Sequence, residues 1–380
     1  MAVATERVTS IDALRGLIMI IMALDHVRDF TDRAAMVFSP TDLGRTTLAL
    51  FFTRWITHFC APVFLFTAGM GAFFWWQGGR TRGQLSRFLL SRGVWLILLE
   101  VSVMRFAYYF TVAGPYPVLL LVLWVIGLSM VCLAALVWLP EPALAAVSLA
   151  AIALHNAFDS VNGGAAGTLL HRPGAIGGGV IIGYPLIPWV FVMAAGFCFA
   201  RSFPRLAIPI GCAATAGFLA LRAINVYGDP VRWSVQKSAV FTVLSFLNTT
   251  KYPPSLLFLL MTLGPALLVL ALFERLPLDP SNPLVIFGRV PLFYFVGHFL
   301  MAHAVAVLLA FVRYGSRAWT FAFRPFPSML GPDPAFPTDF GWPLWVTYAV
   351  WIGIVIVMYP ACRWYANLRA KYRWWWLSYL

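Results

Sequence analysis

The run Leu256-Leu257-Phe258-Leu259-Leu260-Met261-Thr262-Leu263-Gly264-Pro265-Ala266-Leu267-Leu268-Val269-Leu270-Ala271-Leu272-Phe273 contains no charged side chain between Ser255 and Glu274. As an α-helix it extends about 27 Å, close to the thickness of a bilayer's hydrocarbon core. Comparable apolar segments recur at roughly 11–29, 55–76, 88–110, 117–139, 143–158, 179–200, 206–224, 255–273, 290–312 and 343–365. Stretches rich in Pro, Gly and charge separate them, such as Gly78–Arg82, Gly163–Gly179, Pro277–Pro283 and Arg324–Pro343. The pattern predicts an all-α integral membrane protein with about ten transmembrane helices in one bundle. Residues 1–380 then form a single polytopic membrane domain, closed by a short basic and aromatic tail over 366–380. The segment 230–247 is mixed in character and reads as an interfacial or re-entrant piece.

Composition leads to the same solvent. The 380 residues are 61% hydrophobic and only 11% charged, whereas soluble proteins average about 25% charged residues. A soluble core has no room for this much apolar surface, so lipid must solvate most of the chain. The formal charge of +13 comes from basic residues in short runs between apolar segments. Such runs are topology and headgroup signals, and nucleic acid is excluded as a partner. Cys60, Cys132, Cys198, Cys212 and Cys362 fall within apolar stretches without CxxC spacing and read as buried thiols. The first apolar segment lacks a small-residue cleavage site, carries Asp12 and Arg15, and reads as a retained signal-anchor helix.

Orientation follows from basic loops. Arg80, Arg82, Arg87 and Arg92 follow the second helix without an acid among them, Arg201 and Arg205 follow the sixth, and Arg369, Lys371 and Arg373 lie in the tail. With ten helices all three groups share one side, predicted to be cytoplasmic together with both termini. The run Arg373-Trp374-Trp375-Trp376-Leu377-Ser378-Tyr379 reads as an interface anchor.

Ionisable side chains inside these helices need a reason, because each is costly in lipid. Arg15 and His26 are eleven residues apart, about 16 Å of rise and within roughly 20° of three full turns. Asp12 and Asp29 extend that helix face at either end, with Met19 and Met22 between. The stripe reads as a polar groove in which Asp25 or Asp29 orients and charges His26. Arg54 and His58 share a face at the outer end of the second helix, near the level expected for His26. Glu100, deep among Leu and Val, is expected to pair with Arg105 or with another helix. His298 and His303 are five residues apart on the ninth helix, about 140° around it, so they cannot share a metal. His155 and Asp159 share a face at a loop border, which solvation explains. No metal is expected.

The opening Ser10-Ile11-Asp12-Ala13-Leu14-Arg15-Gly16, followed by His26, resembles the start of transmembrane acyltransferases. That superfamily includes the acyltransferase-three sugar O-acylating enzymes and the heparan-α-glucosaminide N-acetyltransferase family. In the former, an Arg and a His separated by ten residues on the first helix are the functional pair, which corresponds here to Arg15 and His26. Phe64-Leu65-Phe66-Thr67-Ala68-Gly69 and Val296-Gly297-His298 are similar to the N-acetyltransferase branch. Asn248-Thr249-Thr250-Lys251-Tyr252-Pro253-Pro254-Ser255 is similar to bacterial members of that branch. The heparan branch, however, has Asn where this chain has His26. Its catalytic His in the loop before the second helix has no equivalent, since Thr31–Thr53 contains no histidine.

The resemblance implies acyl transfer across the membrane, from acyl-CoA (acetyl-CoA) to a hydroxyl or amine of an extracytoplasmic or lipid-linked sugar. The catalytic set is then His26, Asp25, Asp29 and His58, with His26 or His58 as the base. The substrate-binding set is Asp12, Arg15, Arg54, Lys251 and His298. Partners are acyl-CoA, the sugar or lipid-linked acceptor and membrane lipids, and a homodimer is compatible with the sequence. The location implied is the bacterial inner membrane. A transporter or flippase for a small anionic or lipid-linked molecule, using the same stripe as a proton relay, is the alternative.

Overall fold

The computed structural model describes residues 8–111, 114–372, 374 and 377. The order begins with helices α1 (Thr9–Thr31), α2 (Leu48–Trp55), α3 (Cys60–Gln77), α4 (Arg82–Leu99) and α5 (Arg105–Tyr109). Strand β1 (Val118–Leu120), helices α6 (Val122–Leu136), α7 (Glu141–Leu154) and α8 (Gly164–Leu170), and strands β2 (Gly174–Ala175) and β3 (Val180–Ile182) follow. Next come α9 (Trp189–Phe199), α10 (Ala207–Ile224), α11 (Ala239–Leu247) and α12 (Leu256–Arg275). The last are α13 (Pro283–Arg289), α14 (Pro291–Tyr314), α15 (Pro327–Leu330) and α16 (Leu344–Lys371).

The protein is mostly helical and membrane-integral, as the hydropathy predicts. Among the described residues six helices are long and apolar enough to cross a bilayer, and α6 and α9 are shorter apolar helices. The second of the ten expected segments is the near-continuous helix Leu48–Gln77, joined by a 3-10 turn at Ile56–Phe59. Helix α1 has the length to span, yet every 18-residue stretch of it carries at least three charged residues. A helix so charged is stable in lipid only if those groups are paired inside protein.

The chain divides into two compact units, each assembled from three separate stretches. The first comprises residues 1–14, 61–102 and 117–278. Here α4 packs on α6, α9 on both α6 and α7, and α10 on α12. Glycines permit the close approaches: a Cβ on Gly93 would lie 2.5 Å from the Gly127 carbonyl oxygen, and one on Gly127 would lie 2.6 Å from that of Gly93. Small residues at such crossings let helix backbones gain dispersion contact where lipid supplies no hydrophobic drive. A three-stranded sheet of order β1-β3-β2 interrupts the helices, with Val118 opposite Val180 in parallel and Gly174 opposite Ile182 in antiparallel register.

Buried Arg222 organises the irregular chain between α10 and α12. Its guanidinium donates to the carbonyls of Val231, Ser245, Phe246 and Asn248. Asp229 accepts from the Thr250 N–H and from the Thr250 and Ser255 hydroxyls. Irregular backbone that is buried needs such internal partners. The mixed segment over 230–247 contains the short helix α11 inside this knot.

The second unit comprises 15–60, 103–116 and 279–380. In it α14 packs on α5 and α16, and α13 on α16. A Cβ on Gly16 would collide with the backbone carbonyl of Leu284, so the glycine after Arg15 is the one residue that admits α13 at that distance. Trp351 Nε1 donates to the Ile20 carbonyl at 2.8 Å, and the Thr31 and Thr347 hydroxyls meet at 2.9 Å. Of the tail run 373–379, only Trp374 and Leu377 are among the described residues; the rest lies outside them.

Between α4 and α5 the helix widens into a π-turn over Glu100–Met104. Buried Glu100 accepts from the first-turn N–H groups of α6, Leu123 at 2.8 Å and Trp124 at 3.0 Å. Another helix is thus its partner: a carboxylate caps the positive end of a helix dipole and satisfies donors with no intrahelical acceptor. Glu100→Ala is expected to cost about 1–3 kcal/mol, because it leaves buried donors unmatched. A thermal melt in detergent checks this, and an unchanged midpoint would remove Glu100 from the fold's essential contacts.

Candidate functional site

Near the end of α1, His26 faces α14. Its Nδ1 lies 2.8 Å from Nε2 of His298, and the two rings are stacked within 3° of parallel. Nδ1 of His298 in turn lies 2.7 Å from the carbonyl oxygen of Tyr294, one helical turn earlier. A carbonyl cannot donate, so that Nδ1 carries the proton. In neutral His298 the Nε2 is then the acceptor, and His26 Nδ1–H donates to it. The relay leaves the lone pair of a neutral His26 on Nε2, which is the form a general base requires. His298 is completely buried while His26 is partly exposed, so the inner ring sets the tautomer and the outer one can meet a substrate. Phe295 and Phe299 hold the His26 ring edge-on, with centroids 5.8 and 4.8 Å away.

Beside this pair on α1 lies a charge cluster. Asp25 accepts from Arg54 Nη1 at 2.7 Å, and Arg28 Nη2 lies 2.9 Å from the same carboxylate. Arg28 also pairs with Asp29. Two acids and two guanidiniums thereby balance one another at the α1–α2 contact. Arg28 is 2% exposed, and its Nε and Nη1 have no hydrogen-bond acceptor among the described residues. Sequence reasoning passed over this residue; its signal was the three-residue spacing from Asp25, which puts both on one face of α1. Just beyond α1, Asp32 accepts from the Ala35 N–H at 2.9 Å. Burial raises its pKa, and that hydrogen bond opposes the rise.

His58 is buried in the 3-10 turn that joins α2 to α3, one turn from Arg54, whose Nη1 also reaches the Thr57 hydroxyl at 3.3 Å. An apolar groove of about 460 Å³, lined by Leu24, Ala49, Phe52, Ile56 and Tyr348, opens next along the chain to Asp25 and Arg54. His303 diverges from His298: its Nδ1 donates to the Ala107 carbonyl at 2.7 Å, and its ring stacks on Phe30 and Phe110.

The structure therefore unites His26 with His298 and Asp25 with Arg54, and it gives Asp29 the partner Arg28. Arg15 is half-buried at the start of the second unit's share of α1. Asp12 and Lys251 are buried in the first unit, Lys251 in a bridge to Pro254 with its ammonium 5.3 Å from the Tyr252 ring centroid.

A family model described as "Heparan-alpha-glucosaminide N-acetyltransferase, catalytic" matches residues 7–230, more than half of the chain. No curated protein matches. The matched stretch includes His26, Asp25, Arg28, Arg54 and His58 and ends before His298.

Proposed function

Because the chain belongs to the heparan-α-glucosaminide N-acetyltransferase family, and so is a membrane protein of acetyltransferase type, we propose that it transfers an acetyl group from cytoplasmic acetyl-CoA. The acceptor is a hydroxyl or amine of an extracytoplasmic or lipid-linked sugar. The observation that carries this reading is the His26–His298–Tyr294 relay, which orients one partly exposed imidazole as a base.

In the proposed reaction, the acceptor O–H or N–H gives its proton to His26 Nε2 as the oxygen or nitrogen bonds to the thioester carbonyl carbon. The tetrahedral adduct then collapses, the C–S bond breaks, and the departing CoA thiolate takes the proton from the His26 imidazolium. Imidazolium His26 keeps its Nδ1–H directed at His298, so the ring does not have to turn between the two proton transfers. Arg54 and His58 are the proposed donors to the carbonyl oxygen, where negative charge develops. Arg54 suits that role because Asp25 holds its guanidinium in place. Arg15, with Asp12 beside it in sequence, is assigned to the CoA phosphates, and Lys251 to substrate binding. The apolar groove lined by Leu24 and Thr53, the chain neighbours of Asp25 and Arg54, supports a lipid-linked acceptor, whose hydrocarbon tail it would take. The proposed location is the bacterial inner membrane, with both termini cytoplasmic.

The test is release of free CoA by the purified protein, given acetyl-CoA and a panel of sugars and lipid head groups. Acceptor-dependent release supports the proposal. Substrate flux in proteoliposomes without any CoA release would replace it with the transporter reading.

A further inference from the structure

His155 opens a 3-10 turn, His155–Phe158, at the end of α7. It is 4% exposed, and neither ring nitrogen has a hydrogen-bond partner among the described residues. A buried imidazole carries a donor and an acceptor, and leaving both unmatched is costly. Two ligand-type side chains stand next to it. His171 Nε2 lies 2.8 Å from Asp159 Oδ1, and the His155 and His171 rings are 5.5 Å apart at 71°. One nitrogen from each histidine and one Asp159 oxygen all lie within 4.8 Å of one another.

We propose that His155, Asp159 and His171 hold one divalent ion of the zinc class, with water in the fourth position. Ligand atoms around tetrahedral zinc, at bond lengths near 2.0–2.1 Å, are separated by about 3.4 Å. The three atoms present converge on that geometry with side-chain shifts on the order of 1 Å. Two imidazoles and a carboxylate form a donor set suited to zinc, and a fourth position open to solvent is common in such sites. The surroundings provide the outer support that metal ligands need. Asn156 Nδ2 donates to the other Asp159 oxygen at 2.9 Å, while its Oδ1 accepts from the Leu256 N–H at 2.8 Å. The chain just before His171 is pinned through the Leu169 and Leu170 carbonyls, which accept from the Leu186 and Ile187 N–H groups. An Asp159–His171 hydrogen bond alone accounts for those two residues but leaves His155 unmatched, and an ion would take up one of its two nitrogens. The ion would tie the mostly exposed stretch 160–170 to the end of α7. This site is independent of the acetyl-transfer reading.

The test uses untagged full-length protein, stripped with chelating resin and then supplied with zinc chloride or cobalt chloride. The wild type is expected to retain one zinc per chain after desalting, to show visible d–d absorption with cobalt, and to melt higher with zinc. His155→Phe preserves the buried ring volume, and His171→Ala changes a less buried residue. Each is expected to bind zinc at least tenfold more weakly and to lose the zinc-dependent rise in Tm. The proposal is overturned if stripped wild type takes up no metal, or if a folded His155→Phe or His171→Ala variant binds as much as wild type. Should His155→Phe fail to fold, His171→Ala decides.

Discussion

His26→Ala is expected to reduce acceptor-dependent CoA release by about 10²–10⁴-fold, the usual contribution of a positioned general base. The reasoning rests on the hydrogen-bond chain: with His298 donating to the Tyr294 carbonyl, the His26 proton sits on Nδ1 and the reactive lone pair on Nε2. His298→Phe should act in the same direction but less strongly. It keeps an aromatic ring beside His26 and removes the acceptor that selects the tautomer. The expected signature is a lower kcat with an unchanged KM for acetyl-CoA, together with a displaced pH profile. Retention of full activity in His26→Ala would move the base to His58. Full activity in His298→Phe would show that the relay does not position His26.

The largest stability effect is expected from Asp25→Ala. That carboxylate sits between Arg54 and Arg28, and both guanidiniums are largely buried. Removing one member of a buried ion pair costs about 3–5 kcal/mol, because the partner charge stays behind without compensation. Arg54→Met should be milder, since Arg28 still neutralises Asp25. In the double variant Asp25→Ala/Arg54→Met one of the stranded charges is gone, so the two effects should sum to less than their separate values. Denaturant or thermal unfolding of the four proteins reads the cycle. A wild-type midpoint for Asp25→Ala would mean that water already solvates the cluster.

Much of the architecture was visible in hydropathy alone, because spanning a bilayer demands long apolar runs. The run at 256–273 lies within α12, and 343–365 falls within α16 except for its first residue, the capping Pro343. The small sheet was not visible. Val118-Leu119-Leu120 and Val180-Ile181-Ile182 are apolar enough to read as helix starts, and only pairing across some sixty residues makes them strands. Within the site, the stripe of ionisable residues on α1 could be read from helical spacing. Its partners could not, since His26 meets His298 across 272 positions and Asp25 meets Arg54 across 29. Arg28 does not stand out in the sequence, because it lies near a helix end, where a basic residue is ordinary. His155 was read as a loop-border residue because a sequence does not reveal that its ring is enclosed.

The widened turn at Glu100–Met104 amounts to one surplus residue in an otherwise regular helix, and it acts as a phase shift. A strict α-helix through this region would present Ala107, Tyr108 and Tyr109 rotated by about 100° from their observed directions. In the observed phase the Ala107 carbonyl meets Nδ1 of His303, and the Tyr108 ring packs edge-to-face with Phe299, one of the two rings that hold His26. Glu100, at the start of the turn, would keep its place on α6. A chain one residue shorter in this turn would keep the Glu100 cap on α6 and give α5 a different helical phase.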